Sequence, residues 1–102
     1  MLHELKHYVA TPGNGAALRT RFANVTMPIF ARLGIEVLHR WEDPSDADGF
    51  YYLVGFADEA ASTAAWAAFG ADAEWKAAKA ASEVNGPLLA SQSTTVLRPI
   101  AA

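Results

Sequence analysis

The chain has 102 residues, of which 52% are hydrophobic and 19% are charged, and this composition is typical of one folded domain rather than of a disordered segment. Its net charge is −3 and its basic residues are scattered, which excludes the basic patch of a nucleic-acid-binding protein. Because the chain contains no cysteine, disulfides, cysteine-ligated metals and thiol catalysis are excluded as well.

The first predicted strand covers residues 2–10, where side chains of two kinds alternate. Glu4, Lys6 and Tyr8 lie on one face of this strand, and the other face carries histidine and apolar residues. A turn at 12–15, with the sequence Pro-Gly-Asn-Gly, ends the alternation. Glycines before a helix would suit an anion-binding turn, but a simple helix start explains them without a ligand.

A helical period follows over residues 16–33. One apolar stripe runs along it: Leu18, Phe22, Val25, Ile29 and Leu33. Pro28 removes a backbone hydrogen bond from this helix, so we predict a kink near Asn24. Gly34 follows the last apolar residue, in the position where a left-handed cap ends a helix.

Two further strands are predicted over 35–41 and 50–56, and the polar segment between them is predicted to be a hairpin loop. Asp58 and Asp72 are predicted to cap two helices, and a β-branched segment over 91–98 predicts the last strand. The resulting order, β-α-β-β-α-β, is that of the ferredoxin-like fold. This is an α+β class in which the helices lie on one face of a four-stranded antiparallel sheet.

The third predicted strand is apolar on both faces. One face carries four large apolar residues: Phe50, Tyr52, Val54 and Phe56. Tyr51 and Leu53 lie on the other face, where an antiparallel strand facing water would be polar. Since the helices cover only one face, we expect a second copy of the chain to cover the other, forming a homodimer. The alternative cover is the short tail at 100–102.

The sequence indicates neither a secretory signal nor a membrane span. Glu4, Lys6 and His7 interrupt the apolar run that a signal peptide requires, and no run of about 18 apolar residues occurs. We therefore expect a cytoplasmic protein with no membrane partner and no nucleic-acid partner, folded as a single domain over residues 1–102.

Five segments together resemble the NIPSNAP family of the dimeric α+β-barrel superfamily. The most distinctive is 72–89, DAEWKAAKAASEVNGPLL, which is similar to that family's Glu-Trp, Lys-Ala-Ser-Glu and Gly-Pro-Leu signature. Four more segments are similar to the family's: 4–8 with Pro12-Gly13, 39–41, 65–69 and 97–99. The sequence departs from the family at Lys6, where arginine is usual, and a lysine is a point charge that cannot clamp a carboxylate in bidentate fashion.

The resemblance implies a dimeric α+β barrel with a small apolar or aromatic ligand between sheet and helices. Related branches of the superfamily include cofactor-free monooxygenases, haem-degrading enzymes, lactone isomerases and polyketide cyclases. The haem-degrading relatives carry an axial histidine on the last helix, and segment 72–82 has none, so we expect no cofactor. We expect no metal site either, because His3 and His7 lie about 13 Å apart on one strand.

His39 is the candidate catalytic acid or base, because an imidazole titrates near neutral pH. If Trp41 pairs with Phe50, then His39 lies beside Tyr52, and Tyr52 or Tyr8 would be its hydrogen-bond partner. The alternative is a core histidine that is bonded to a tyrosine hydroxyl and has no part in catalysis.

Six residues are candidate ligand contacts: Glu4, Lys6, Trp41, Trp66, Phe69 and Trp75. The two charged residues would form a polar row on a pocket floor, and the aromatic residues would form walls around a flat apolar ligand. The alternative is a satisfied polar network between strands, with the aromatic residues packed in the core and the dimer.

Two functions therefore stay open. The first is a cofactor-independent enzyme of the monooxygenase, isomerase or cyclase type, acting on a small apolar or aromatic molecule. The second is a non-catalytic module that binds a ligand or another protein. A pocket that holds a small molecule is expected for the enzyme and for the ligand-binding module.

Overall fold

A four-stranded antiparallel sheet forms the centre of the protein in the computed structural model, which describes residues 1–101. The elements follow one another in this order: β1 (Leu2–Ala10), α1 (Gly15–Arg21), a π-helical turn (Phe22–Thr26), α2 (Met27–Arg32), β2 (Glu36–Glu42), β3 (Gly49–Phe56), α3 (Glu59–Ala71), α4 (Ala73–Ser82) and β4 (Leu89–Leu97). The strands lie in the order β2-β3-β1-β4. The predicted ferredoxin-like α+β fold is confirmed.

The helical run between β1 and β2 changes its pitch in the middle. The N–H of Met27 donates to the carbonyl of Phe22, five residues earlier, so this turn is one residue wider than an α-helical turn. Pro28 follows immediately and has no N–H to offer. The kink predicted near Asn24 therefore takes the form of a π turn that is centred on that residue.

The π turn also rotates the face that follows it. Leu18, Phe22 and Ile29 of the predicted stripe are buried, but Val25 and Leu33 are only partly buried. Phe30, which the stripe did not include, is completely buried. An extra residue in one turn advances the later side chains by one position, which explains this difference.

The helices of the second half begin as predicted. The carboxylate of Asp58 accepts a hydrogen bond from the N–H of Ala61 at 2.8 Å, and that of Asp72 accepts one from the N–H of Trp75 at 2.9 Å. Each satisfies an N–H group that has no partner inside its own helix. None of the helices in residues 1–101 is long and apolar enough to cross a membrane.

The glycine turn before α1 is filled by a side chain of the protein itself. Asp48 accepts hydrogen bonds from the N–H of Gly15 at 3.0 Å and from the N–H of Gly13 at 3.2 Å. The carboxylate thus occupies the place that an external anion would take. This turn ties the start of α1 to the β2–β3 loop.

The core lies between the sheet and the helices. Tyr52, Phe30 and Val54 are completely shielded from solvent there. The opposite face, which we call the open face, carries no helix, and its side chains are partly buried: His3, Leu5, His7, Tyr51 and Leu53. Residues 100–101 of the tail do not cover this face, since Ile100 is 97% exposed, and Ala102 lies outside the described residues.

Candidate functional site

Two of the predicted catalytic residues meet in the core. The hydroxyl of Tyr52 donates to the hydroxyl of Tyr8 at 2.7 Å. Burial raises the pKa of Tyr52 far above its ordinary value, and the neighbouring oxygen of Tyr8 raises it further. Burial likewise raises the pKa of Tyr8, against the smaller opposing effects of Tyr52 and Arg21. Both phenols are therefore neutral near pH 7 and act as hydrogen-bonding groups rather than as bases.

Glu4 and Lys6 belong to a second buried cluster, at the other end of β1. Glu4 accepts hydrogen bonds from the hydroxyl of Ser62 and, at 2.9 Å, from Nε1 of Trp66. The ammonium of Lys6 lies 3.4 Å from Glu4, donates to the hydroxyl of Thr94 at 2.7 Å and lies 4.5 Å from the centre of the Trp66 ring. The structure thus supports the interpretation of these residues as a satisfied polar network.

The charge state of Glu4 follows from those partners. Burial raises the pKa of its carboxyl, but the hydrogen bonds from Ser62 and Trp66 and the charge of Lys6 together outweigh burial. The net result is a pKa below the ordinary value. Glu4 is consequently an ionised, fully paired carboxylate that anchors α3 to β1.

The predicted pairing of Trp41 with Phe50 is wrong, and with it the predicted contact between His39 and Tyr52. Trp41 pairs with Tyr51, and His39 pairs with Leu53. The register changes by one residue at a bulge between Val37 and His39, and such a shift moves side chains to the opposite face of the sheet.

His39 and Trp41 consequently lie on the open face, while Tyr52 lies on the face that the helices cover. The rings of His39 and Trp41 stack on each other, with 5.6 Å between their centres. Trp41 is 47% exposed and lies on the opposite face of the sheet from Trp66 and Phe69.

The remaining predicted wall residues come together on the helical side. The Phe69 ring stacks on Trp75 at 4.8 Å, and its edge meets Phe30 at 4.9 Å. Trp66 contacts Phe30 and Phe56. Phe69 and Trp66 pack against the core in this way, which agrees with the packing interpretation of these aromatic residues.

A cleft of about 590 Å³ lies elsewhere, between β2 and the helical run. We call it the β2 cleft. Apolar and charged residues line it: Phe22, Met27, Val37, Leu38 and Phe50, with Arg19, Arg40 and Glu42. It reaches the free edge of β2, where His39 and Trp41 also border it.

Register explains how the charged residues of β2 enter this cleft. Arg40 pairs with Tyr52 and Glu42 pairs with Phe50, so both lie on the face that the helices cover. Sequence reasoning missed them because the expected register placed them on the other face. It also missed Phe22 and Met27 as cleft residues, although Pro28 marked the disturbed turn between them.

The two arginines of the β2 cleft differ in their partners. Nη1 of Arg19 donates to the carbonyl of Ala47 at 2.9 Å, which ties the guanidinium to the β2–β3 loop. Arg40 forms neither an ion pair nor a hydrogen bond through its side chain with residues 1–101. Within the same residues, no group of three or more histidine, aspartate or glutamate side chains is placed to hold a metal ion.

The chain is similar to one protein family along almost its whole length. The NIPSNAP family model matches residues 3–102. An uncharacterized NIPSNAP domain protein from Burkholderia xenovorans is 20% identical, with a TM-score of 0.80 over 99% of this chain and 96% of that chain. A NIPSNAP family protein from Agrobacterium tumefaciens is 16% identical, with a TM-score of 0.81 over 97% of this chain and 92% of that chain.

The fold extends beyond that family. The structure of an antibiotic biosynthesis monooxygenase is 12% identical, with a TM-score of 0.66 over 99% of this chain and 100% of that chain. No curated protein matches the chain significantly. At these identities, similarity to a solved structure shows a shared fold and not a shared activity.

Proposed function

The chain belongs to the NIPSNAP family, and from this premise we propose that it is a homodimeric domain that binds a small apolar or aromatic molecule in the β2 cleft. The cleft itself is the observation that carries the proposal. Its volume of about 590 Å³ lies within the range of about 300–1,000 Å³ that small-molecule sites occupy. Its apolar walls with a few charged groups also have the composition of such sites.

The π turn gives independent support to this location. Phe22 begins the turn and Met27 follows it, and both line the β2 cleft. A π turn is less favourable than a regular helical turn and occurs frequently at functional sites. Here it widens the helix at the point where the helix forms one wall of the cleft.

The homodimer is proposed from the open face of the sheet. Leu5, Tyr51 and Leu53 lie there without a helix above them. Leu38 extends this apolar surface, because it packs over Gly55 on the same face. Its Cδ1 lies 3.4 Å from the position that a Cβ of residue 55 would occupy. A second copy of the same face would remove these side chains from water, in a two-fold arrangement.

Catalysis is a second candidate function, and the position of His39 at the border of the β2 cleft favours it. In this version the protein is a cofactor-independent enzyme of the monooxygenase, isomerase or cyclase type, and His39 moves the proton. Tyr8 and Tyr52 lie behind Phe22 and Phe50. They stay protonated there and support the wall of the cleft.

Ligand screening by nuclear magnetic resonance tests the proposal. Uniformly labelled protein is titrated with small apolar and aromatic compounds, and the shifted amides are assigned. We expect the shifts to cluster at Phe22, Met27 and Val37. Binding of no compound, or shifts confined to another region, would contradict the proposal.

Filling the cleft supplies the matched control. Val37→Trp places a bulky ring in the β2 cleft, whereas Ala64→Trp places the same ring on an exposed position of α3. We expect the first substitution to abolish binding and the second to preserve it, with both proteins shown to be folded by circular dichroism. For the catalytic version, His39→Ala must lower turnover of a bound compound while leaving its affinity within a small factor.

A further inference from the structure

We infer that the β2 cleft selects a molecule carrying a single negative charge, a monocarboxylate on an apolar skeleton, and that Arg40 and Arg19 bind the carboxylate. The inference rests on the proposed function, because it names the class of ligand for the same cleft. It goes further because it assigns recognition of the ligand to Arg19 and Arg40, and neither of them is among the site residues predicted from the sequence.

The first support is the local charge. The whole chain carries a net charge of −3, yet the β2 cleft contains two arginines against one glutamate. The cleft is therefore a region of net positive charge on an acidic protein. Its charged groups border apolar side chains, but Arg40 and Glu42 are exposed, so water and salt weaken their charge interactions.

The second support is the unused hydrogen-bonding capacity of Arg40. Arg19, Arg21 and Arg32 each donate to a protein oxygen, and Arg98, which donates to none within residues 1–101, lies outside the cleft. Arg40 donates to none within residues 1–101, although Glu42 lies two positions further along the same strand face. A guanidinium has five donors in a planar fork that matches a carboxylate.

Arg19 is held in place before any ligand arrives. Its single bond to the carbonyl of Ala47, at 2.9 Å, leaves its other donors available. A donor held in this way loses less conformational freedom when it binds a ligand. Arg19 on the helical wall and Arg40 on the strand wall thus present donors from both sides of the cleft.

Glu42 limits the charge of the ligand. Its carboxylate lines the cleft and is not paired with any cation in the described chain. A ligand with a second negative group would meet repulsion from Glu42, whereas a monoanion neutralises the excess positive charge. Phe22 and Met27 then contact the apolar part of the ligand.

Matched pairs of compounds test this inference. Naphthoate, phenylacetate and decanoate are each compared with the corresponding neutral primary amide, and a naphthalene dicarboxylate supplies the dianion. Dissociation constants are measured by resonance titration of the wild-type protein, Arg40→Gln and Arg98→Gln. The last is a control, because Arg98 is an exposed arginine outside the cleft.

We expect each acid to bind about tenfold more tightly than its amide. This factor is at the low end of the affinity gain from a hydrogen bond to a charged group, because Arg40 is exposed. Arg40→Gln should remove this preference, and Arg98→Gln should keep it. Added salt should weaken binding of the acids and not of the amides. Glu42→Gln should improve binding of the dianion more than that of the monoanion.

The outcomes separate the two proposals. If acids and amides bind in the cleft with equal affinity, or if Arg40→Gln leaves the preference intact, the inference is wrong and the proposed function stands. If no compound of either kind binds in the cleft, the proposed function itself is wrong.

Discussion

The hydroxyl of Tyr52 on β3 donates a hydrogen bond of 2.7 Å to the hydroxyl of Tyr8 on β1. The pair joins two central strands beneath the helices, and Phe22 packs against both rings. We expect Tyr52→Phe to lower the free energy of unfolding by about 1–2 kcal/mol, because the buried hydroxyl of Tyr8 loses its partner. Urea unfolding measures the change, with Tyr51→Phe on the open face as the control.

The same pair predicts a loss of stability in alkali. The folded protein raises the pKa of both phenols, so folding favours the protonated form. This contribution is complete below the unfolded pKa of about 10 and decreases as the pH rises above it. Unfolding measured from about pH 8 to about pH 11 should show this decrease, and Tyr8→Phe combined with Tyr52→Phe should make it less steep. An unchanged slope in the double variant would contradict the assignment.

Glu4 predicts that the protein loses stability in acid as the pH falls. Its pKa is lower in the folded protein than in the unfolded chain, so its contribution is present above the unfolded value of about 4.3 and is lost as the pH falls through the folded pKa. Glu4→Gln should cost about 2–4 kcal/mol at neutral pH. It should also make the free energy of unfolding decrease less steeply as the pH falls into the acid range. Glu36→Gln, at an exposed position of β2, is the matched control.

Alanine substitutions at Gly15 and Gly70 should change the free energy of unfolding in opposite directions. A Cβ at Gly15 would overlap the carbonyl oxygen of Ala47 and approach Cα of Asp48 to 2.9 Å, whereas a Cβ at Gly70 meets nothing within 4 Å. Gly15→Ala should destabilise the protein by about 1–3 kcal/mol through overpacking. Gly70→Ala should stabilise it by about 0.4–1 kcal/mol, because the unfolded chain loses freedom. Thermal unfolding of both variants measures the difference, and equal effects would be inconsistent with the packing around Gly15.

The proposed homodimer predicts a mass of about twice the 10.9 kDa of one chain in analytical ultracentrifugation. Leu53→Glu places a charge in the middle of the open face and should produce a folded monomer. Thr63→Glu, on the exposed side of α3, should remain a dimer. A wild-type protein that sediments as a monomer would refute the proposal.

Local signals predicted most of the fold. The caps Asp58 and Asp72 act as expected because a cap depends only on the residues of its own turn. The two-faced apolar pattern of β3 is confirmed because alternation along one strand determines which side chains share a face. At the functional site the predictions were less complete. The polar row of Glu4 and Lys6 was recognised, but its partners Ser62 and Thr94 were not.

The sequence by itself determined the order of the elements, their caps and the faces on which the residues of β1 and β3 lie, since these follow from periodicity and from contacts within a few positions. Only the tertiary structure decided the pairing of β2 with β3, because a bulge between Val37 and His39 changes the register and reverses the faces of the residues that follow it. That shift places His39 on the open face and Arg40 in the β2 cleft. The residues that can meet a ligand are therefore set by the pairing of distant segments, which depends on packing in three dimensions.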